Sequence, residues 1–266
     1  MSTREPRSVS VAGCTVHYLE AGSGPQLVLL HGGGGMRVDD QAWTGLTEHY
    51  RLLAPSLPGF DQSTAGTTAS MEDVADVTAE LIRTVCGGSA AVIGESFGGM
   101  VGALVAIRHP EVVTRLVLVA PAGLRQDDGP SILHLTREQR SELVFGKPPG
   151  APPDPEQLER SDRNRQTVGR LMHGRPQFDP SFQEQLAHIQ APTLLVWGSA
   201  DKMTWPTQAK YFAERIPQVR LALIEGAPHA VQAAYPREFL DAVLPFLAAS
   251  DRLGDPRQVV GHTLPS

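Results

Sequence analysis

Cysteine is scarce: Cys14 and Cys86 are the only two in 266 residues. That excludes a disulfide framework, and both lie beside apolar stretches, so reduced, buried thiols are expected. Runs of about 18 apolar residues are missing throughout, and residues 1–13 (MSTREPRSVSVAG) carry charges without an apolar secretory core. A cytoplasmic, soluble protein without a membrane partner is the expectation. Long blocks of one charge sign are missing too, and the net charge is −6, which argues against nucleic acid as the main partner. Lysine is rare: Lys147, Lys202 and Lys210 are the only three among 23 basic residues, a bias to which no function attaches. The glycine run Gly32–Gly35 is not followed by Gly-Lys-Ser/Thr, so it is not a phosphate loop. Asp39 and Asp40 have no histidine or further carboxylate at ligand spacing, and a solvated helix cap is expected rather than a metal site. No cofactor is implied.

What is present is an alternation of strand and helix. Val9–Val11 and Cys14–Tyr18 read as an opening hairpin turning at Ala12-Gly13. Gln26–Leu30 is a buried strand, followed by a short helix that carries Trp43 and Leu46 with Asp40 as its cap. Arg51–Ala54 is another strand, and Met71–Val85 places Val74, Val77, Leu81, Ile82 and Val85 on one helical face. Ala90–Ile93 and Leu116–Val119 are buried strands with a helix between them that ends near His109-Pro110. From Arg125 to His188 the alternation stops, and helical pieces are expected at Ser131–Phe145, Glu156–Met172 and Ser181–His188. The rhythm resumes with a strand at Thr193–Trp197, a helix at Pro206–Ile216, a strand at Val219–Ile224 and a helix at Pro236–Ala248. Repeated βα units imply a mostly parallel sheet covered on both faces. Residues 250–266 read as a polar, poorly ordered tail.

One stretch organises the rest. Ala90–Ile93 stops at Gly94, and Glu95-Ser96-Phe97-Gly98-Gly99 leads into a segment from Met100 with helical period. This is a G-x-S-x-G turn between strand and helix, where a Cβ at either glycine would strike a neighbouring element. The bend lifts the Ser96 hydroxyl out of the sheet and aims the unpaired N–H groups of the helix start at whatever it touches. On these residues the chain resembles the α/β-hydrolase superfamily, in its capped, serine esterase-like branch. The resemblance implies an eight-stranded sheet in a core formed by 1–124 and 189–249, with residues 125–188 as a helical cap.

The superfamily order is serine, acid, histidine. Gly198-Ser199-Ala200-Asp201 resembles the turn that carries its acid, and Glu225-Gly226-Ala227-Pro228-His229-Ala230 the loop that carries its histidine. The implied triad is Ser96, Asp201 and His229, with Asp127 or Asp128 as the rival acid after Leu116–Val119. The oxyanion donors implied are the backbone N–H of Phe97 and that of Gly33 or Gly34, from the His31-Gly32-Gly33-Gly34-Gly35 loop. His31 is read as a hydrogen-bonding residue of that loop. Glu95 is read as pairing under the turn, the alternative being a bond near His229. Ala54–Ser63 resembles the family's P-x-x-P-G-x-G-x-S loop with Asp61 at the second glycine, which puts the local backbone in question.

For the pocket, Leu133, Phe145, Leu171, Met172 and Arg170 are the lining residues put forward. Arg160, Arg163, Arg165, Arg170 and Arg175 crowd one segment in which Asp162 is the sole acid, and are read as a solvated helix face rather than a carboxylate grip. The expected function is hydrolysis of a small-molecule carboxylic ester, thioester or lactone through an acyl-enzyme. The alternatives are a C–C bond hydrolase of ring-cleavage products and, from another class, a small-molecule receptor on the same fold. Whether the chain is a monomer or a homodimer stays open.

Overall fold

Eight strands follow one another in chain order as β1 (Glu5–Val11), β2 (Cys14–Ala21), β3 (Gln26–Leu30), β4 (Arg51–Pro55), β5 (Ala90–Glu95), β6 (Val113–Val119), β7 (Thr193–Gly198) and β8 (Val219–Ile224). They lie side by side in the order β1-β2-β4-β3-β5-β6-β7-β8. The computed structural model describes residues 5–37, 41–124, 135–176, 178–249 and 259–260. The β1–β2 hairpin is antiparallel and β2 pairs antiparallel with β4, whereas every pair from β4 to β8 is parallel. Part of the tail expected to be poorly ordered adds a short ninth strand: β9 (Val259–Val260) pairs in parallel with β8.

Helices cover both faces, as a parallel sheet built of apolar strands requires. One face buries α2 (Met71–Val85), α3 (Phe97–Arg108) and Phe212 of α7 (Ala209–Arg215). The other buries Trp43 and Leu46 of α1 (Gln41–Thr47) with Phe239, Val243, Phe246 and Leu247 of α9 (Pro236–Ala248). Helix α2 starts at a capping box, in which the Ser70 hydroxyl accepts the Asp73 N–H and the Asp73 carboxylate accepts the Ser70 N–H. Helix α3 is buried on every side from Phe97 to Ala106, which is why its sequence is apolar and glycine-rich rather than amphipathic.

The neighbours β3 and β5 leave the sheet in opposite directions, β3 toward β4 and β5 toward β6. That strand pair is the topological switch point, where such sheets bind ligands at their carboxyl ends. The glycine loop follows β3 there and Ser96 follows β5. Helices α4 (Arg137–Phe145) and α5 (Pro155–Leu171) border the same cleft as the glycine loop and Ser96, and α6 (Pro180–Gln185) packs Phe182 into the core. The helical piece expected from Ser131 starts instead at a capping box formed by Thr136 and Gln139; residues 131–134 lie outside the described residues, as do Asp39, Asp40, Asp127, Asp128 and Leu133. No helix among the described residues is long and apolar enough to cross a membrane.

Candidate active site

Ser96 sits at the bend between β5 and α3 with φ 51° and ψ −111°, a left-handed conformation that costs a side chain about 1–3 kcal/mol. Its backbone holds it there. The Ser96 N–H donates to the Val119 carbonyl (2.9 Å), and its carbonyl accepts from Met100 (3.1 Å) and Ala122 (3.0 Å). The flanking glycines are dictated by packing. A Cβ on Gly94 would lie 2.8 Å from the Gly98 carbonyl carbon, and one on Gly98 would overlap the Leu30 and His31 carbonyl oxygens. The turn therefore brings the start of α3 onto the end of β3, next to the glycine loop.

Asp201 and His229 meet on the adjacent loops after β7 and β8. His229 Nδ1–H donates to Asp201 Oδ2 at 2.9 Å, and both side chains are buried. The carboxylate is further held by the Met203 N–H (2.7 Å) and Thr204 N–H (3.0 Å) on Oδ1 and by the Thr204 hydroxyl (2.9 Å) on Oδ2. The Trp197 indole N–H donates to the Thr204 carbonyl and so fixes this turn on β7. Burial pushes the Asp201 pKa up, but the charge of His229 and these hydrogen bonds outweigh it and hold the carboxyl below its ordinary value. Burial likewise favours neutral His229, yet Asp201 more than compensates and Glu95 adds to it, so the imidazole pKa is raised. His229 Nε2 is buried and has no hydrogen-bond partner among the described residues. With Nδ1–H given to Asp201, Nε2 carries the ring's free lone pair, and His229 and Ser96 line the same cleft.

That cleft has a volume of about 1640 Å³ and is walled by the glycine loop, Glu95–Phe97, α4, α5, Met203–Trp205 and His229. Gly33, Gly34 and Phe97 all line it, and a Cβ on Gly33 would come within 4.0 Å of the Phe97 Cβ. The chain at Gly33 and at Phe97 thus lies close together at the cleft. His31 is part of the scaffold: its Nδ1–H donates to Gly32 O (2.7 Å), its Nε2 accepts the Leu57 N–H (3.0 Å), and burial lowers its pKa against the opposing charge of Asp61.

Several placements differ from the sequence reading. Phe145 and Met172 line the cleft, but Leu171 packs into the main core and is absent from the lining. Arg170 turns away, donating to the Thr68 carbonyl at 2.5 Å. The reason is helical phase: Asn164, Thr167 and Leu171 form the buried face of α5, and Arg170 falls beside it. Of the arginines read as a solvated face, Arg160, Arg165 and Arg175 line the cleft, whereas Arg163 and Arg170 do not. Glu95 does not pair under the turn. It borders the cleft without a hydrogen bond or ion pair among the described residues, and acts on His229 through its charge. Asp61 adopts φ 49°, so the backbone takes a left-handed turn there without glycine.

The partners Thr204, Asn164 and the Val144 carbonyl, which accepts the Ala230 N–H at 2.8 Å beside His229, were not singled out in the sequence. Thr204 alone carried a local signal, as an Asp-x-x-Thr turn closing on its own carboxylate. Among the described residues, no group of three or more His, Cys, Asp and Glu side chains is arranged to hold a metal ion.

A serine on a strained strand-to-helix turn, a buried carboxylate–imidazole pair and a glycine loop at one switch point define a protein of the hydrolase type. The chain belongs to the alpha/beta hydrolase family, whose model matches residues 27–242. It is 28% identical over 265 residues to the 2-hydroxy-6-oxo-6-(2'-aminophenyl)hexa-2,4-dienoic acid hydrolase of Metapseudomonas resinovorans, covering 91% of this chain and 90% of that one. It is 27% identical over 258 residues to the pimeloyl-[acyl-carrier protein] methyl ester esterase of Aeromonas salmonicida (strain A449), covering 85% and 96%. Among solved structures it is similar to a thermophilic esterase, with a TM-score of 0.71, 26% identity, and coverage of 92% and 98%.

Proposed function

We propose that this protein is a serine hydrolase that cleaves a carboxylic ester through an acyl-enzyme. Ser96 attacks, His229 takes its proton and passes it to the leaving alcohol, and Asp201 fixes the tautomer and stabilises the imidazolium. The N–H groups of Phe97 and of Gly33 or Gly34 receive the oxyanion, and water releases the acid by the reverse sequence. The observation that carries this is that Ser96 and His229, whose Nδ1–H is held by the buried Asp201 carboxylate, line one cleft.

The cleft also suggests the kind of acyl group. Six arginines and two lysines line it, against two carboxylates, Glu95 and Asp162. Arg140 on α4 is buried enough, and near enough to Arg165 on α5, for its pKa to be pushed below the ordinary value. Arg165 pairs with Asp162 and Arg140 donates to the Leu135 carbonyl, but the excess of cations along the wall favours a ligand carrying a carboxylate or phosphate remote from the ester. The two sequence relatives, a dienoic acid hydrolase and an acyl-carrier-protein ester esterase, agree with such a ligand.

The test is turnover of p-nitrophenyl butyrate and of monomethyl dicarboxylates of graded length by wild type and Ser96→Ala. Wild type should prefer the anionic esters and Ser96→Ala should be inactive; equal rates in the two proteins would end the proposal. The second reading, C–C bond hydrolysis of a diketo acid, draws on the same cationic wall. Bleaching of a ring-fission chromophore, with no turnover of the dicarboxylate esters, would favour it.

A further inference from the structure

The departure from the family loop at Asp61 coincides with a polar contact that ties the helical insertion to the glycine loop. Asp61 Oδ2 accepts the Met36 N–H (2.9 Å) and the Ser56 hydroxyl (2.9 Å). Its Oδ1 accepts Asn164 Nδ2–H (2.9 Å), and its N–H donates to Asn164 Oδ1 (2.9 Å). Asn164 is 1% exposed, and its amide nitrogen also donates to the Gly34 carbonyl at 3.1 Å. Gly35 closes over the pair so tightly that a Cβ there would collide with Asn164 Nδ2 and lie 2.6 Å from Asp61 Oδ1. A turn farther along α5, the Thr167 hydroxyl donates to the Gly59 carbonyl at 2.7 Å, and Val168 would touch a Cβ on Gly33 at 3.3 Å.

We infer that Asn164 and Asp61 are positioning residues that set the oxyanion loop, so that α5 belongs to the catalytic scaffold rather than to a mobile lid. This rests on the serine hydrolase reading above. Four consecutive glycines have almost no intrinsic preference for one backbone conformation. An oxyanion donor is useful only if its N–H is aimed before charge develops, because reorientation during the reaction forfeits the gain. The loop's own backbone supplies the Gly35 N–H to Gly32 carbonyl bond at 3.1 Å. The Gly34 carbonyl, inside that turn, and the Met36 N–H, just after it, are both held by the Asp61–Asn164 pair. Asn164 fixes the plane of the Gly34–Gly35 peptide, which restricts ψ of Gly34 and so the orientation that the preceding peptide, with its Gly34 N–H, can adopt. A leucine or serine at 164 could not supply both amide donors and the acceptor.

The test is steady-state kinetics of Asn164→Ala on p-nitrophenyl butyrate, at a temperature where unfolding curves show the variant folded, with Ser96→Ala as the control. We expect kcat to fall at least tenfold while KM changes less than threefold. The Ki of a trifluoromethyl ketone, which forms a tetrahedral oxyanion adduct, should rise by the same factor as kcat/KM falls. Asp61→Asn keeps the acceptor for Met36 but sets an amide against the Asn164 amide; it should show the same kcat-selective loss and serves if Asn164→Ala does not fold. A folded Asn164→Ala or Asp61→Asn with kcat within twofold of wild type, beside an inactive Ser96→Ala, overturns the positioning role alone. A fully active Ser96→Ala overturns both this role and the reading beneath it.

Discussion

Replacing Asp201 by asparagine exchanges one oxygen for an NH2 group and should invert the tautomer of His229. The carboxylate accepts the Met203 and Thr204 N–H groups on one oxygen and His229 Nδ1–H with the Thr204 hydroxyl on the other. An asparagine carbonyl can serve only one of these sides. Turning the NH2 onto the two backbone donors would leave both buried and unpaired, at about 1–3 kcal/mol each. The carbonyl therefore takes that side and the NH2 faces Nδ1, while the Thr204 hydroxyl can turn to the Ala120 carbonyl, 3.3 Å away. Nδ1 must then accept, the imidazole proton moves to Nε2, and no lone pair remains there for the Ser96 proton. The equivalent change in serine protease triads lowers kcat about 10⁴-fold, which corresponds to about 5.5 kcal/mol of barrier at 1.36 kcal/mol per decade. The assay is kcat on p-nitrophenyl butyrate, with circular dichroism to establish that the variant is folded. A folded Asp201→Asn protein with kcat within tenfold of wild type would refute the assignment of the acid.

Other consequences follow from the same structure. His229 must be neutral to act as a base, and its pKa is raised above the ordinary 6.5, so activity should be lost as pH falls through a midpoint above 6.5. Glu95→Gln removes one of the raising charges and should move that limb of the kcat/KM profile to lower pH; an unmoved limb contradicts the role of Glu95. Gly98→Ala forces a Cβ against the carbonyl oxygens at the end of β3 and should destabilise the fold by more than about 3 kcal/mol in urea unfolding. Burial pushes the Cys86 thiol up to about 11 and raises Cys14 as well, so neither should react with Ellman's reagent at pH 8 until the protein is denatured. Rapid reaction of the native protein would contradict their burial.

The parts legible in the sequence were those fixed by short-range physics. Helix α2 announced itself by an apolar face, and β8 and α9 by apolar runs between turns, all three with the bounds observed. The bend at Ser96 was legible because its glycines answer to steric contacts within a few residues. The polar contacts of the site were harder to read. Asn164 lies 103 residues from Asp61, and a lone asparagine in a charged helix carries no sign that it will be buried. The pocket residues on α5 depended on helical phase against an unknown neighbour, which is why Leu171 and Arg170 were misplaced by a fraction of a turn while Met172 reached the cleft. The ninth strand rests on two residues at a sheet edge, too short for any period to appear.

On the proposed mechanism Ser96 is made nucleophilic by the Asp201-held imidazole of His229. The most direct measurement is mass spectrometry of peptides after treating the native protein with a fluorophosphonate. One adduct per chain is expected, on Ser96, abolished in His229→Ala although that protein remains folded. An unlabelled wild-type Ser96, or equal labelling in wild type and His229→Ala, would contradict it.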